Sequence, residues 1–159
     1  MHELALQLDR PGSPEEFTVV LPSPGREDLA ALQALEREGA PPALLEMYSS
    51  LVEASLLDLH YGFRIDPAET VLAGMRGDKP TRLTGARDDA IVVFGTDGGG
   101  SFFAVSRTTS VVYQLTGGAW IRDTYDADEG HAQIFASDPS DFLKHLEALL
   151  KDEVEANRT

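Results

Sequence analysis

The chain contains no cysteine. That excludes a disulfide scaffold, cysteine-ligated zinc, iron–sulfur clusters and thiol nucleophiles together. Long hydrophobic runs are missing too, and the opening MHELALQLDRPG has neither the basic start nor the continuous apolar stretch of a signal peptide. No membrane segment or export signal is expected, and the predicted localisation is cytoplasmic. Positive charge is scarce, with 13 Lys and Arg against 27 Asp and Glu and a formal net charge of -14. Over a Debye length of about 8–10 Å this balance repels phosphate backbones and anionic lipid, so neither nucleic acid nor membrane is expected as a partner. The same field would speed association with a basic protein. The histidines are few, and His2, His60, His131 and His145 show no HxH or HExxH spacing, so no metal site and no cofactor are expected.

What the sequence does hold is enough apolar residue for one core. At 159 residues and 42% hydrophobic, a single domain is expected without staples. ELALQLD alternates apolar and polar residues as a half-buried strand does, and EFTVVLP reads as its hairpin partner. Ser23 and Pro24 give an N-cap and first helical position, DLAALQALEREG sets Leu29, Leu32 and Leu35 on one stripe, and Gly39 suits the end of the helix. APP at 40–42 breaks the chain before PALLEMYSSLVEASLL, which reads as a second helix through Leu44, Leu45, Tyr48, Leu51 and Val52. LHYGFRIDPAETVLAGM reads as short strands or irregular connections, and residues 77–89, GDKPTRLTGARDD, as a loop. AIVVFG, SFFAVS, SVVYQL and AWIRDTY follow at close spacing and predict a four-strand antiparallel meander over residues 90–125. Asp138 and Pro139 start a last helix whose apolar face is Phe142, Leu143, Leu146, Leu149 and Leu150, with 152–159 as a frayed tail. The fold class expected is α+β: a mainly antiparallel sheet covered by two N-terminal helices and one C-terminal helix.

Two stretches invite a ligand reading. FGTDGGGS, residues 94–101, has the glycines of a phosphate loop but no following Lys, and it runs into a strand instead of a helix N-terminus. Nor does Ser101 sit in a GxSxG elbow. Gly98, Gly99 and Gly100 are therefore expected to form a tight hairpin turn in which Asp97 bonds its own backbone. DTYDADEGH, residues 123–131, misses the EF-hand spacing, since from Asp126 the glycine falls fifth and position twelve is Ser137. It reads as a solvated acidic loop and as the place where a cationic partner would land. Asp97, Asp123, Tyr125, Asp126, Asp128 and Glu129 are the expected partner-binding residues, with Asp88 and Asp89 adding to the field. Trp120 and Tyr125 are expected in the core, with an aromatic contact surface as the alternative. No hydroxyl has a base beside it in sequence, so no catalytic residue is named.

The order of these pieces resembles a family. ALEREGAPPALLEMYSSL is similar to the opening of the SUKH superfamily, IVVFGTDGGGSFFAVSRTTSVVYQL to its central hairpins, and SDPSDFLKHLEALL to its closing helix. The resemblance covers roughly residues 30–151 and leaves residues 1–22 as an N-terminal addition. SLVEASLLDLHYG lacks the Asn-Gly that many members carry at that point. The resemblance implies an α+β domain that works by binding: bacterial members are typically immunity proteins that neutralise polymorphic toxins, often nucleases, and fungal relatives regulate cell-wall synthesis through protein contacts. The expected function is thus a non-catalytic, toxin-neutralising protein with a basic protein partner. The alternatives are a housekeeping adaptor of the same fold, or an enzyme or small-ligand protein built on the carboxylates of the Asp97 turn and the 123–129 loop.

Overall fold

The computed structural model describes residues 17–20, 26–49, 53–56, 62–97 and 99–157. β5 (Asp89–Asp97) is its axis, and it is buried from Ile91 through Gly95. One edge of β5 pairs with β6 (Phe102–Ser106), which pairs with β7 (Val112–Leu115), all antiparallel. The opposite edge is shared: β3 (Phe63–Ile65) takes residues 95–97 and β4 (Arg82–Gly85) takes residues 89–90. Among the described residues ten strands are linked in this way, joined antiparallel except for β4 against β9 (Thr124–Ala127).

Because successive side chains of a strand face opposite ways, the central strands carry two cores. Val92, Phe94, Phe103, Val105 and Val112 face the helices, where α1 (Arg26–Arg37), α2 (Pro42–Met47), α3 (Ala68–Ala73) and α4 (Pro139–Asn157) supply Leu35, Leu44, Met47, Val71, Phe142 and Leu146. Ile91, Val93, Ala104, Tyr113 and Leu115 face the other way, onto Leu83 of β4 and Tyr125 and Ala127 of β9. The apolar run IVVF is continuous because both faces of its strand are covered.

The α+β class and the mainly antiparallel sheet are as expected; the layout is different in four places. First, AWIRDTY is not the fourth strand of a meander. It is a hairpin of β8 (Ala119–Ile121) and β9, and β9 joins β4, while β7 takes β10 (Ala132–Ala136) as its second neighbour. β10 was hidden in the sequence because AQIFA is short and follows an acidic turn. Second, the helix that opens at Pro42 stops at Met47, and 53–56 is strand β2, paired with β1 (Phe17–Val20) and β3. The Ser49 hydroxyl donates to the Glu46 carbonyl at 2.5 Å and so terminates the helix, as serine does when it competes for backbone groups. Third, LHYGFRIDPAETVLAGM reads as short strands or irregular connections, yet residues 68–73 form α3 behind Pro67, because proline suits a helix start better than a sheet interior; a π-helical turn, Gly74–Asp78, extends it. Fourth, the polar segment 77–89 contains β4, whose only large apolar residue, Leu83, is fully buried.

The strand proposed for ELALQLD and the cap at Ser23 and Pro24 lie outside the described residues. α1 ends at Arg37 ahead of Gly39, and Arg107 Nη2 donates to the Glu38 carbonyl at 3.0 Å. Leu35 is buried on the predicted stripe, but Leu29 is exposed. Asp138 Oδ1 accepts the Asp141 N–H at 2.7 Å, and Asp141 Oδ2 accepts the Ser137 N–H at 2.9 Å, a reciprocal cap on α4. The Ser137 backbone bond holds the Asp141 carboxyl below its usual range. α4 runs on to Asn157, past the point where the tail was expected to fray. Among the described residues no helix is long and apolar enough to cross a membrane.

Tyr113 ties the second core to the start of β5. Its hydroxyl donates to Asp89 Oδ2 at 2.8 Å, and burial, reinforced by that carboxylate, pushes the phenol up from 10.0 to about 12. A folded-state pKa above the unfolded one stabilises at every pH below the unfolded value, and the contribution is lost as pH rises from about 10 to about 12. Tyr113→Phe is expected to cost about 1 kcal/mol at neutral pH and to reduce the loss of stability in that alkaline window. Urea unfolding of both proteins at neutral pH and across that window measures the difference. Tyr48, pushed up by burial and by Asp66, keeps part of the alkaline dependence in the variant.

Candidate functional site

The FGTDGGGS question resolves into backbone geometry. Asp97 Oδ1 accepts the N–H groups of Gly99 at 2.8 Å and Ser101 at 2.9 Å, Oδ2 accepts Gln114 Nε2 at 3.2 Å, and Asp97 N–H donates to the Ser101 carbonyl at 3.1 Å. Gly100 sits at φ +87°, which a side chain rarely tolerates. The turn between β5 and β6 is therefore built as expected, and the Asp97 carboxylate is spent on holding it. Gly98 lies outside the described residues. Ser101 is buried and its hydroxyl hydrogen-bonds the Thr116 hydroxyl.

The acidic loop divides between two ends of β9. Asp123 lies in the turn between β8 and β9, where its carbonyl accepts the N–H groups of Thr81 at 2.8 Å and Arg82 at 3.1 Å, and its Oδ1 accepts the Thr124 hydroxyl at 3.0 Å. At the far end, Asp126, Asp128 and Glu129 line an open cleft of about 610 Å³. Gly85 and Ala86 from the end of β4, Gly117 and Gly118 before β8, and His131 complete its wall. Neither Asp97 nor Asp123 reaches it. Asp126 Oδ1 accepts the Thr84 hydroxyl at 3.0 Å, and Asp128 Oδ1 stands 2.7 Å from His131 Nδ1 and accepts the His131 N–H at 3.1 Å. Among the described residues no Lys or Arg pairs with Asp126, Asp128 or Glu129, and no group of three ligands is placed to hold a metal ion. Asp88 is neutralised by Arg82 at 2.6 Å, and Asp89 is engaged by Tyr113 and the Thr108 hydroxyl. These two add less to the cleft than their position in sequence suggests.

Trp120 and Tyr125, both expected in the core with an aromatic contact surface as the alternative, part ways. Tyr125, expected among the contact residues, is buried at 5% exposure, and its hydroxyl accepts the Gly118 N–H at 2.9 Å. It is a support beneath the cleft. Gly118 follows from that contact, since a Cβ there would lie 2.5 Å from the Tyr125 ring and 2.6 Å from the Asp126 carbonyl. Trp120, expected in the core, is 44% exposed, and Ile121 beside it is 66% exposed. Trp120 Nε1 donates to the Arg122 carbonyl at 2.7 Å, and its ring meets Phe102 edge-on at 5.6 Å. Sequence reasoning missed this pair because it took AWIRDTY as one strand, the last of the meander, whose aromatics pack; instead β8 is a separate strand and, among the described residues, the last of its branch of the sheet. The legible signal was Gly117–Gly118 before AWI and the two-residue turn after it, which together mark a short separate hairpin.

No family model, no curated protein and no solved structure matches this chain.

Proposed function

We propose that the chain is a non-catalytic protein-binding domain that acts as an immunity protein, capturing and neutralising a basic toxin domain. The observation that carries this reading is the exposed trio Asp126, Asp128 and Glu129 around an open cleft, without a Lys or Arg partner among the described residues. Carboxylates left without a Lys or Arg partner on a chain of net charge -14 focus a field that steers a positively charged protein and repels nucleic acid. A nuclease domain is the toxin class whose own charge fits best, because capture would set an acidic surface where its anionic substrate must go. The mainly antiparallel sheet with helices on one face is the architecture that the SUKH resemblance implies.

A tagged pull-down from the source cell at low and at moderately high salt, read by mass spectrometry, tests it. The expected result is one basic protein, held at low salt and weakened at high salt. An acidic partner, or one retained equally under both conditions, sinks the electrostatic reading and favours the adaptor.

A further inference from the structure

Among the described residues, β8 has one neighbour. It pairs with β9 through Ala119↔Asp126, Trp120↔Tyr125 and Ile121↔Thr124, and the strand order ends there. The hairpin is closed by Arg122 and Asp123, with Arg122 in the left-handed region at φ 58°. In a hairpin closed by two residues the flanking pair, here Ile121 and Thr124, exchanges the ladder hydrogen bonds, and the next pair does not. Trp120 therefore turns its N–H and C=O away from β9, toward the open edge.

Edge strands are ordinarily blunted by charge, proline or a bulge, and AWI has none of these. All three residues are exposed. Because the side chains alternate, Trp120 stands on the face that carries Phe102 and Tyr125, and Ile121 stands on the face shared with Asp126. A segment laid along the edge would meet an apolar group on each face. The Trp120 ring is already held by Arg122 and Phe102, so little rotamer freedom is lost on contact. Acid gathers at the Ala119 end, where Asp126, Asp128 and Glu129 lie, while Asp123 at the turn stands beside Arg122. A second copy is a poor occupant, since pairing β8 with β8 would press two chains of charge -14 together.

We propose that the open edge of β8 accepts an extended, Lys- or Arg-bearing segment of a partner protein as an added strand, anchored by Trp120 and Ile121. This rests on the reading that the chain binds a cationic protein, and it adds the mode of attachment.

The test is amide NMR of the full chain titrated with a synthetic peptide of about eight residues alternating Lys and Val, and with the same peptide N-methylated at every residue, so that neither of its edges keeps a donor. Both carry the same charge, but only the first can complete a ladder. The expected result is a shift and slowed hydrogen exchange at the Trp120 amide with the plain peptide, and binding at least about tenfold weaker for the methylated one. Trp120→Pro removes the outward N–H at a position where an edge strand tolerates proline, and it should weaken binding more than Trp120→Ala. If the proline variant misfolds, the peptide pair still decides. Equal binding of the two peptides overturns edge pairing and leaves the cationic-partner reading standing. No shift around either β8 or the cleft at low salt overturns both. Self-association that broadens the β8 amides with no peptide present shows the second copy to be the occupant and overturns the proposal.

Discussion

Phe103→Ala is expected to lower the stability of the fold by about 3–5 kcal/mol. The side chain is fully buried at the centre of the helix-facing core, stacked on Phe63 at 5.6 Å and set against Phe135 at 5.2 Å and Phe142 at 4.9 Å. Truncation forfeits the transfer free energy of the ring and leaves a cavity that cannot collapse, because its walls are strands β3 and β10 and helix α4. A domain of this size has only about 5–15 kcal/mol in total. The ratio of folded to unfolded chain should drop by about two to four powers of ten, seen in urea titration as a lower midpoint with an unchanged slope. Ile134→Ala, at an exposed position of β10, should move the midpoint little. A loss below about 1 kcal/mol for Phe103→Ala would mean that this aromatic cluster is not the centre of the core.

Reversing Asp126, Asp128 and Glu129 to lysine is expected to slow association with the captured basic partner by about 10- to 1000-fold at low salt, and to flatten its salt dependence. Stability should change little, because all three side chains are exposed and, among the described residues, only Asp126 and Asp128 have hydrogen-bond partners. The dissociation rate separates two outcomes. If association alone slows, the trio steers the encounter from the rim; if dissociation also quickens, the carboxylates lie inside the contact. The control is the same charge change made at Glu36, Glu46 and Glu69, which are exposed on the helical side. An equal effect there would assign the steering to net charge, and the cleft would lose its special role. Stopped-flow association at two salt concentrations reads all of these.

The central strands were legible in the sequence because their signals are local. AIVVFG, SFFAVS and SVVYQL are β-rich runs separated by turns, and an apolar run that does not alternate implies a strand covered on both faces. The Asp97 turn could be read for the same reason, since an Asx side chain bonding its own backbone needs no distant partner. So could the start of α4 at Asp138 and Pro139. Local reasoning failed where the pairing partner decides the state. EASL carries helical spacing yet becomes β2 because β1 and β3 lie on either side of it. RLTG carries only one large apolar residue, but it sits between β5 and β9.

The sequence by itself determined the charge, the mainly antiparallel α+β class, the FGTDGGGS turn and the carboxylates available for contact, because composition and short-range hydrogen bonding contain them. Only the tertiary structure decided which of those carboxylates meet. Asp97 is held in its own turn and Asp123 at one end of β9, while Asp126, Asp128 and Glu129 share a cleft at the other. It also decided that Tyr125 is inside and Trp120 outside. Both lie in one β-rich run, and the two faces of a strand differ only by what packs on them; the turn at Arg122 and Asp123 folds that run back on itself and leaves β8 at the edge.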